Sequence, residues 1–127
     1  MTGLLAALLS LSSGCAVFVV GAVAGAGVGG YAWVRGEARV TEGASLDRSW
    51  TATLAAMQEL QYPITKQGKD TIAGELTAVN GSGKKVNIYL KRASTTATEI
   101  SVRVGTFGDE ALSRTILMKI EKHLGTS

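Results

Sequence analysis

Hydrophobic and polar positions follow two different regimes along the chain. Up to Val34 nearly every residue is apolar or small. Beyond Arg35 the apolar positions recur at regular intervals. From Tyr31 to Thr41 the chain alternates: Ala32, Val34, Gly36, Ala38 and Val40 share one face, and Arg35, Glu37, Arg39 and Thr41 the other. That spacing predicts a strand with one buried face. Ser45 can cap a following helix, with Asp47 in its first turn. Leu46, Trp50, Leu54, Met57 and Leu60 then fall at helical spacing as an apolar stripe, and Tyr62-Pro63 ends the helix. In such a stripe Trp50 is expected to be a core aromatic.

Three further strands are predicted. Thr71 to Val79 places Ile72, Leu76 and Ala78 on one face. Asn80-Gly81-Ser82-Gly83 reads as a hairpin turn. Lys85 to Lys91 alternates, with Val86, Ile88 and Leu90 inward, and Thr98 to Val104 repeats the pattern with Ile100, Val102 and Val104. Gly105-Thr106-Phe107-Gly108 is a turn into a last helix. Asp109 and Glu110 stand at the positive end of its dipole and Lys119 and Lys122 near the negative end. Leu112, Ile116, Ile120 and Leu124 form its buried stripe. The order β-α-β-β-β-α predicts an α+β domain over residues 31–125, an antiparallel sheet with two helices on one face.

Charge sharpens the division. Met1 to Val34 carries no Asp, Glu, Lys or Arg, whereas the remainder has an ordinary soluble composition. Within the uncharged part, Leu4-Leu5-Ala6-Ala7-Leu8-Leu9-Ser10-Leu11 reads as the apolar region of a signal peptide. It is too short to span a bilayer, which takes about 20 apolar residues. Ser12-Ser13-Gly14 supplies the small residues a signal peptidase accepts, and the chain's one cysteine, Cys15, follows. This stretch resembles the lipobox of bacterial lipoproteins, which implies a lipoprotein signal over 1–14 and lipidation at Cys15. Two acyl chains would hold the protein to the bilayer where one is marginal.

Residues 15–30 are rich in Gly and Ala. Gly21, Gly25 and Gly29 recur every fourth residue, and on a helix they share one face. That pattern suits close packing of membrane helices, or a flexible tether between anchor and domain, since Gly disfavours helix in water. The sequence leaves both open. Gly25-Ala26-Gly27-Val28-Gly29-Gly30 also matches a dinucleotide fingerprint letter for letter. The βαβ units that a nucleotide fold needs do not follow it, so no cofactor is expected.

Catalytic chemistry finds little to build on. His123 is the only histidine, and no Cys or second His accompanies it, so no metal site is expected. No nucleophile, base and orienting group fall into place together, and the chain is expected to be no enzyme, with no small-molecule substrate. The net charge of +3 lacks the dense basic face of nucleic-acid modules, and no nucleic-acid partner is expected. Lys66, Lys69, Lys84, Lys85, Lys91 and Arg92 make the middle of the chain basic. Lys84 and Lys85, beside the Asn80-Gly81-Ser82-Gly83 turn, are candidate contacts to an anionic lipid or cell-wall partner; an envelope protein is the other candidate partner.

Five segments together carry a resemblance: Ser13-Gly14-Cys15; the Gly/Ala run to Tyr31; Ser45-Leu46-Asp47-Arg48-Ser49-Trp50; Gly83-Lys84-Lys85-Val86; and Arg103-Val104-Gly105-Thr106-Phe107-Gly108-Asp109-Glu110. The last block is the most specific. The chain resembles small bacterial envelope lipoproteins grouped as domain-of-unknown-function family 3568. Ser12, standing where such lipoproteins usually have Leu, is the chief departure. The resemblance implies an envelope location and assigns no activity. Ala16 after the cysteine, where Asp would favour the inner membrane, implies the periplasmic face of the outer membrane. The function expected is thus a lipid-anchored, non-enzymatic interaction or structural module. The alternative is a membrane-helix protein that oligomerises through its Gly face.

Overall fold

The computed structural model describes residues 31–125. Its elements run β1 (Ala32–Val34), β2 (Glu37–Glu42), α1 (Leu46–Leu60), β3 (Ile64–Lys69), β4 (Ala73–Val79), β5 (Lys85–Ser94), β6 (Ala97–Val104) and α2 (Glu110–Gly125). The strands form one six-stranded sheet in the order β1-β2-β6-β5-β4-β3, with every neighbouring pair antiparallel. Both helices lie on the same face and pack on each other. The fold is α+β, with two strands more than the sequence pattern predicts.

The alternating residues deliver the core. Leu76 and Ala78 of β4, Val86, Ile88 and Leu90 of β5, and Ile100, Val102 and Val104 of β6 are buried beneath the helices. Ala38 and Val40 of β2 continue that layer. Met57 of α1 and Ile116, Leu117 and Ile120 of α2 close it from above. The face that α1 buries is rotated from the predicted stripe: Leu46, Ser49, Ala52, Thr53, Ala56 and Met57 are buried, whereas Trp50, Leu54 and Leu60 are half-buried. Small residues on this face let the helix lie close to the sheet, and larger ones flank it. Trp50 packs over the backbone of β4, where a Cβ on Gly74 would stand 2.7 Å from its ring.

The two extra strands come from backbone pairing. The predicted strand over 31–41 is a hairpin, with Trp33 opposite Ala38 and Val34 opposite Glu37. Its two-residue turn is Arg35-Gly36, with φ of 52° and 83°, and positive φ at both positions suits the right-handed twist of the strands. The turn reverses the faces expected for β1. Trp33 shares Ala38's covered face, and Ala32 and Val34 sit opposite the outward Arg39 and Glu37. β3 has only Ile64 half-buried, with every other residue exposed, so it carries no alternation to read. It forms by pairing with β4 across a bulge at Ile64/Lys66. Pairing with β3 also moves Ile72 into the connecting turn, where it is 62% exposed rather than inward. The Asp70 carboxylate holds that turn by accepting from the Ile72 and Ala73 amides, at 2.7 and 2.8 Å.

Registers bring three connections to one end of the sheet. Val34 opposes Glu37, Val79 opposes Lys85, and Val86 opposes Val104. The β1–β2 turn, the β4–β5 hairpin and the β6–α2 loop therefore lie side by side.

Candidate functional site

Cys15 lies outside the described residues, as do the signal peptide over 1–14 and the Gly-rich run over 15–30. Lys84 and Lys85 are described, and both are exposed at the sheet end where the three connections meet. Asn80 builds their hairpin. Its side-chain oxygen accepts from the Ser82 and Lys84 amides, both at 2.9 Å, and its own backbone N–H donates to the Lys84 carbonyl at 2.9 Å. Gly83 takes the positive φ that the turn needs, at 82°.

Across a cleft of about 650 Å³ stands the loop Gly105–Asp109, the segment that carries the most specific part of the resemblance. Its conformation requires glycine. Gly105 and Gly108 have φ of 76° and 83°. A Cβ on Gly108 would stand 2.3 Å from the Gly36 carbonyl oxygen, so the loop and the β1–β2 turn touch backbone to backbone. Arg103 joins the same two segments: one guanidinium nitrogen donates to the Arg35 carbonyl at 3.1 Å, the other to the Thr106 carbonyl at 2.6 Å. The Gly105 amide donates to the Lys85 carbonyl at 2.8 Å, tying the loop to the hairpin as well. Asp109 then caps α2 by accepting from the Leu112 amide at 3.0 Å. Its other carboxylate oxygen is 3.8 Å from Lys84 Nζ.

This bracing holds out one aromatic. Phe107 is 91% exposed at the crest of the loop. The exposed Arg35 belongs to the adjoining turn, where the Phe107 carbonyl would be 3.0 Å from a Cβ on the next residue, Gly36. Arg35 and Lys85 have no ion-pair partner among the described residues. This end of the domain therefore presents an apolar tip among cations. Sequence reasoning found Lys84 and Lys85 and the turn at Gly105–Gly108. It missed Phe107 and Arg35, which no periodicity marks, and Arg103, whose alternation fits a strand while its side chain braces loops.

Elsewhere the titratable groups hold helices in place. Glu59 of α1 accepts from Lys119 at 2.6 Å and lies 3.4 Å from Lys122 and 2.8 Å from His123 Nε2, all on α2. The Lys119 and His123 hydrogen bonds hold its carboxyl far down, at about 2. Glu42, 5% exposed, lies beneath α2 against Glu121, and one of its oxygens has no hydrogen-bond partner. Burial first, and then Glu121, push its carboxyl up to about 8. Among the described residues, no group of three His, Cys, Asp or Glu side chains could hold a metal ion.

The block from Arg103 to Glu110 is thus the structural brace of this end. A family described as "Protein of unknown function (DUF3568)" matches residues 1–123. The chain belongs to that family. The DUF3568 match takes in the uncharged leader together with the folded domain. No curated protein matches the chain. Among the described residues of this DUF3568 protein, no helix is long and apolar enough to cross a membrane.

Proposed function

We propose that this protein is a bacterial envelope lipoprotein, held to the bilayer through acyl chains on Cys15 and acting as a non-enzymatic interaction or structural module. The observation that carries this reading is the boundary between the two parts of the chain. An uncharged leader with Ser13-Gly14-Cys15 behind an apolar run meets a domain whose buried apolar residues, among those described, begin at Ala38. A leader of this composition suits a targeting and anchoring task. The Ala16 position favours the periplasmic face of the outer membrane.

The Gly-face alternative asks residues 16–34 to span the bilayer. The pairing of Ala32–Val34 with β2 supports the lipid-anchored reading, because it leaves a span to end before the sheet begins. The test is the intact mass of protein extracted from membranes, beside its Cys15→Ser variant. A chain starting at Cys15 with added acyl mass is expected, and the variant should leave the membrane or accumulate as precursor. A wild-type mass equal to the unmodified full chain, with Cys15→Ser fractionating alike, refutes the reading.

A further inference from the structure

We infer that the end of the domain bearing Phe107 docks on the anionic headgroup face of a lipid bilayer, with Phe107 entering the interface and Arg35, Lys84 and Lys85 lying on the headgroups. The inference deepens the anchored reading and rests on it for the presence of a bilayer.

Three observations select this end. The first is the pairing of one strongly exposed aromatic with cations. A phenyl ring 91% exposed on a compact domain forgoes the burial that usually stabilises Phe. Aromatic rings at headgroup level recover that burial, and nearby lysines gain about 1 kcal/mol each from anionic lipid. The second is rigidity. Phe107 sits between Gly105 and Gly108, whose positive φ values, the Arg103 hydrogen bonds and the Gly36–Gly108 contact fix the loop. Little conformational entropy remains to be lost when it docks. The third is where the chain outside the described residues joins. Tyr31 bonds Glu110 Oε2 through its hydroxyl at 3.1 Å, and Arg114 stacks over its ring at 4.8 Å. The uncharged 30-residue leader therefore meets the domain at the first turns of α2, the helix that follows the Phe107 loop. An acyl chain at Cys15 lies within 16 residues of Tyr31, a reach of up to about 50 Å extended. The anchor thus allows this end to meet the surface that holds it.

Acidic groups at this end are few and engaged. Asp109 caps α2 and neighbours Lys84, and Glu110 accepts from Tyr31. Lys84 keeps half its side chain in solvent despite Asp109.

The full chain reconstituted in vesicles tests the inference. Phe107→Trp keeps an aromatic ring at the crest and places an indole there, to be compared with the wild-type signal of Trp33 and Trp50. Vesicles of brominated phosphatidylcholine, with and without phosphatidylglycerol, report contact with acyl chains by quenching. Added emission that is blue-shifted and quenched at least about twofold more with phosphatidylglycerol is expected. Lys84→Gln/Lys85→Gln in the same background should shift the docked population roughly tenfold towards undocked, and the quenching should fall with it. Indole emission typical of water and equal quenching in both vesicles overturns the inference, as does quenching indifferent to the two lysines. Salt-sensitive binding to soluble wall fragments, without quenching by brominated lipid, overturns it in favour of a polymer partner. Phe107 packs on nothing, so the substitution leaves the fold intact, and a thermal melt checks that. Intact mass of the same sample reports acylation separately. Quenching without acylation refutes the Cys15 anchor alone, whereas acylation without quenching refutes docking alone.

Discussion

The two faces of the sheet are made by the same strands but obey different rules. On the covered face, Leu76, Ile88, Leu90, Ile100 and Val102 are fully buried under α1 and α2. On the open face, Glu37, Arg39, Glu75, Asn87, Tyr89, Lys91 and Glu99 stand along the strands as a charged, mixed surface. Among the described residues of that surface, Tyr89 is an exposed large hydrophobic, at 43% exposure. Strand alternation writes both faces at once, because successive side chains point to opposite sides. Helix coverage then converts one face into stability and leaves the other without a helix on it. Where the rule is broken, a charged residue on the covered face, the structure pays in a titration anomaly at Glu42.

The comparison gives ordered expectations. Ile100→Ala, at the centre of the covered face, should cost about 2–5 kcal/mol by chemical denaturation. A cost under about 1 kcal/mol would mean that the helices do not seal this face. Trp50 and Gly74 test the flank of the same face. Gly74→Ala drives a Cβ to 2.7 Å from the Trp50 ring, and should destabilise by about 1–3 kcal/mol. Trp50→Ala should cost about 2–4 kcal/mol, below the usual range of about 3–5 for aromatic truncation, because the residue is only half-buried. If the pair is the cause, Trp50→Ala and Gly74→Ala combined should cost less than their sum.

Glu42 sharpens the comparison through pH. Its carboxyl is raised from 4.5 to about 8, so the folded protein binds a proton that the unfolded chain has released. The stability it contributes is complete below about pH 4.5 and lost as pH rises through about 8. Melting temperature should therefore fall between pH 5 and 9, a loss of about 1–3 kcal/mol, and Glu42→Gln should flatten that slope. Equal slopes in the two proteins would place Glu42 in water. Glu59 has the opposite sign. Its carboxyl is lowered to about 2, so its contribution is present above about 4.5 and disappears as pH falls towards 2. Glu59→Gln should reduce acid sensitivity, leaving the part that Asp70 contributes. The smallest effect is expected on the open face: Tyr89→Ser should change stability by less than about 0.5 kcal/mol.

How much of this was legible depended on how each element earns its conformation. β5 and β6 alternate cleanly, and the Ser45 cap, accepting from the Arg48 amide at 3.2 Å, begins α1 as its sequence predicts. The same signals placed Asp109 at the start of α2 and Lys84 and Lys85 at an exposed hairpin. β3 was not legible, because an edge strand with exposed side chains leaves no pattern of burial to read. The Arg35-Gly36 turn was hidden inside an apparent alternation, since reversing a strand over two residues preserves the period while exchanging the faces.

The uncharged leader with its one cysteine, the α+β class and the apolar layer from Leu76 to Val104 can be read from local pattern alone. Each of these follows from local composition and from the periods of strand and helix, which neighbours in sequence impose on one another. Long-range packing, by contrast, makes Arg103 brace two loops, rests Gly108 on Gly36, and thrusts Phe107 outward at the end that carries Arg35, Lys84 and Lys85. These residues are separated by up to 72 positions, and what joins them is strand register. Register is set by the pairing of whole strands, so no window of sequence contains it.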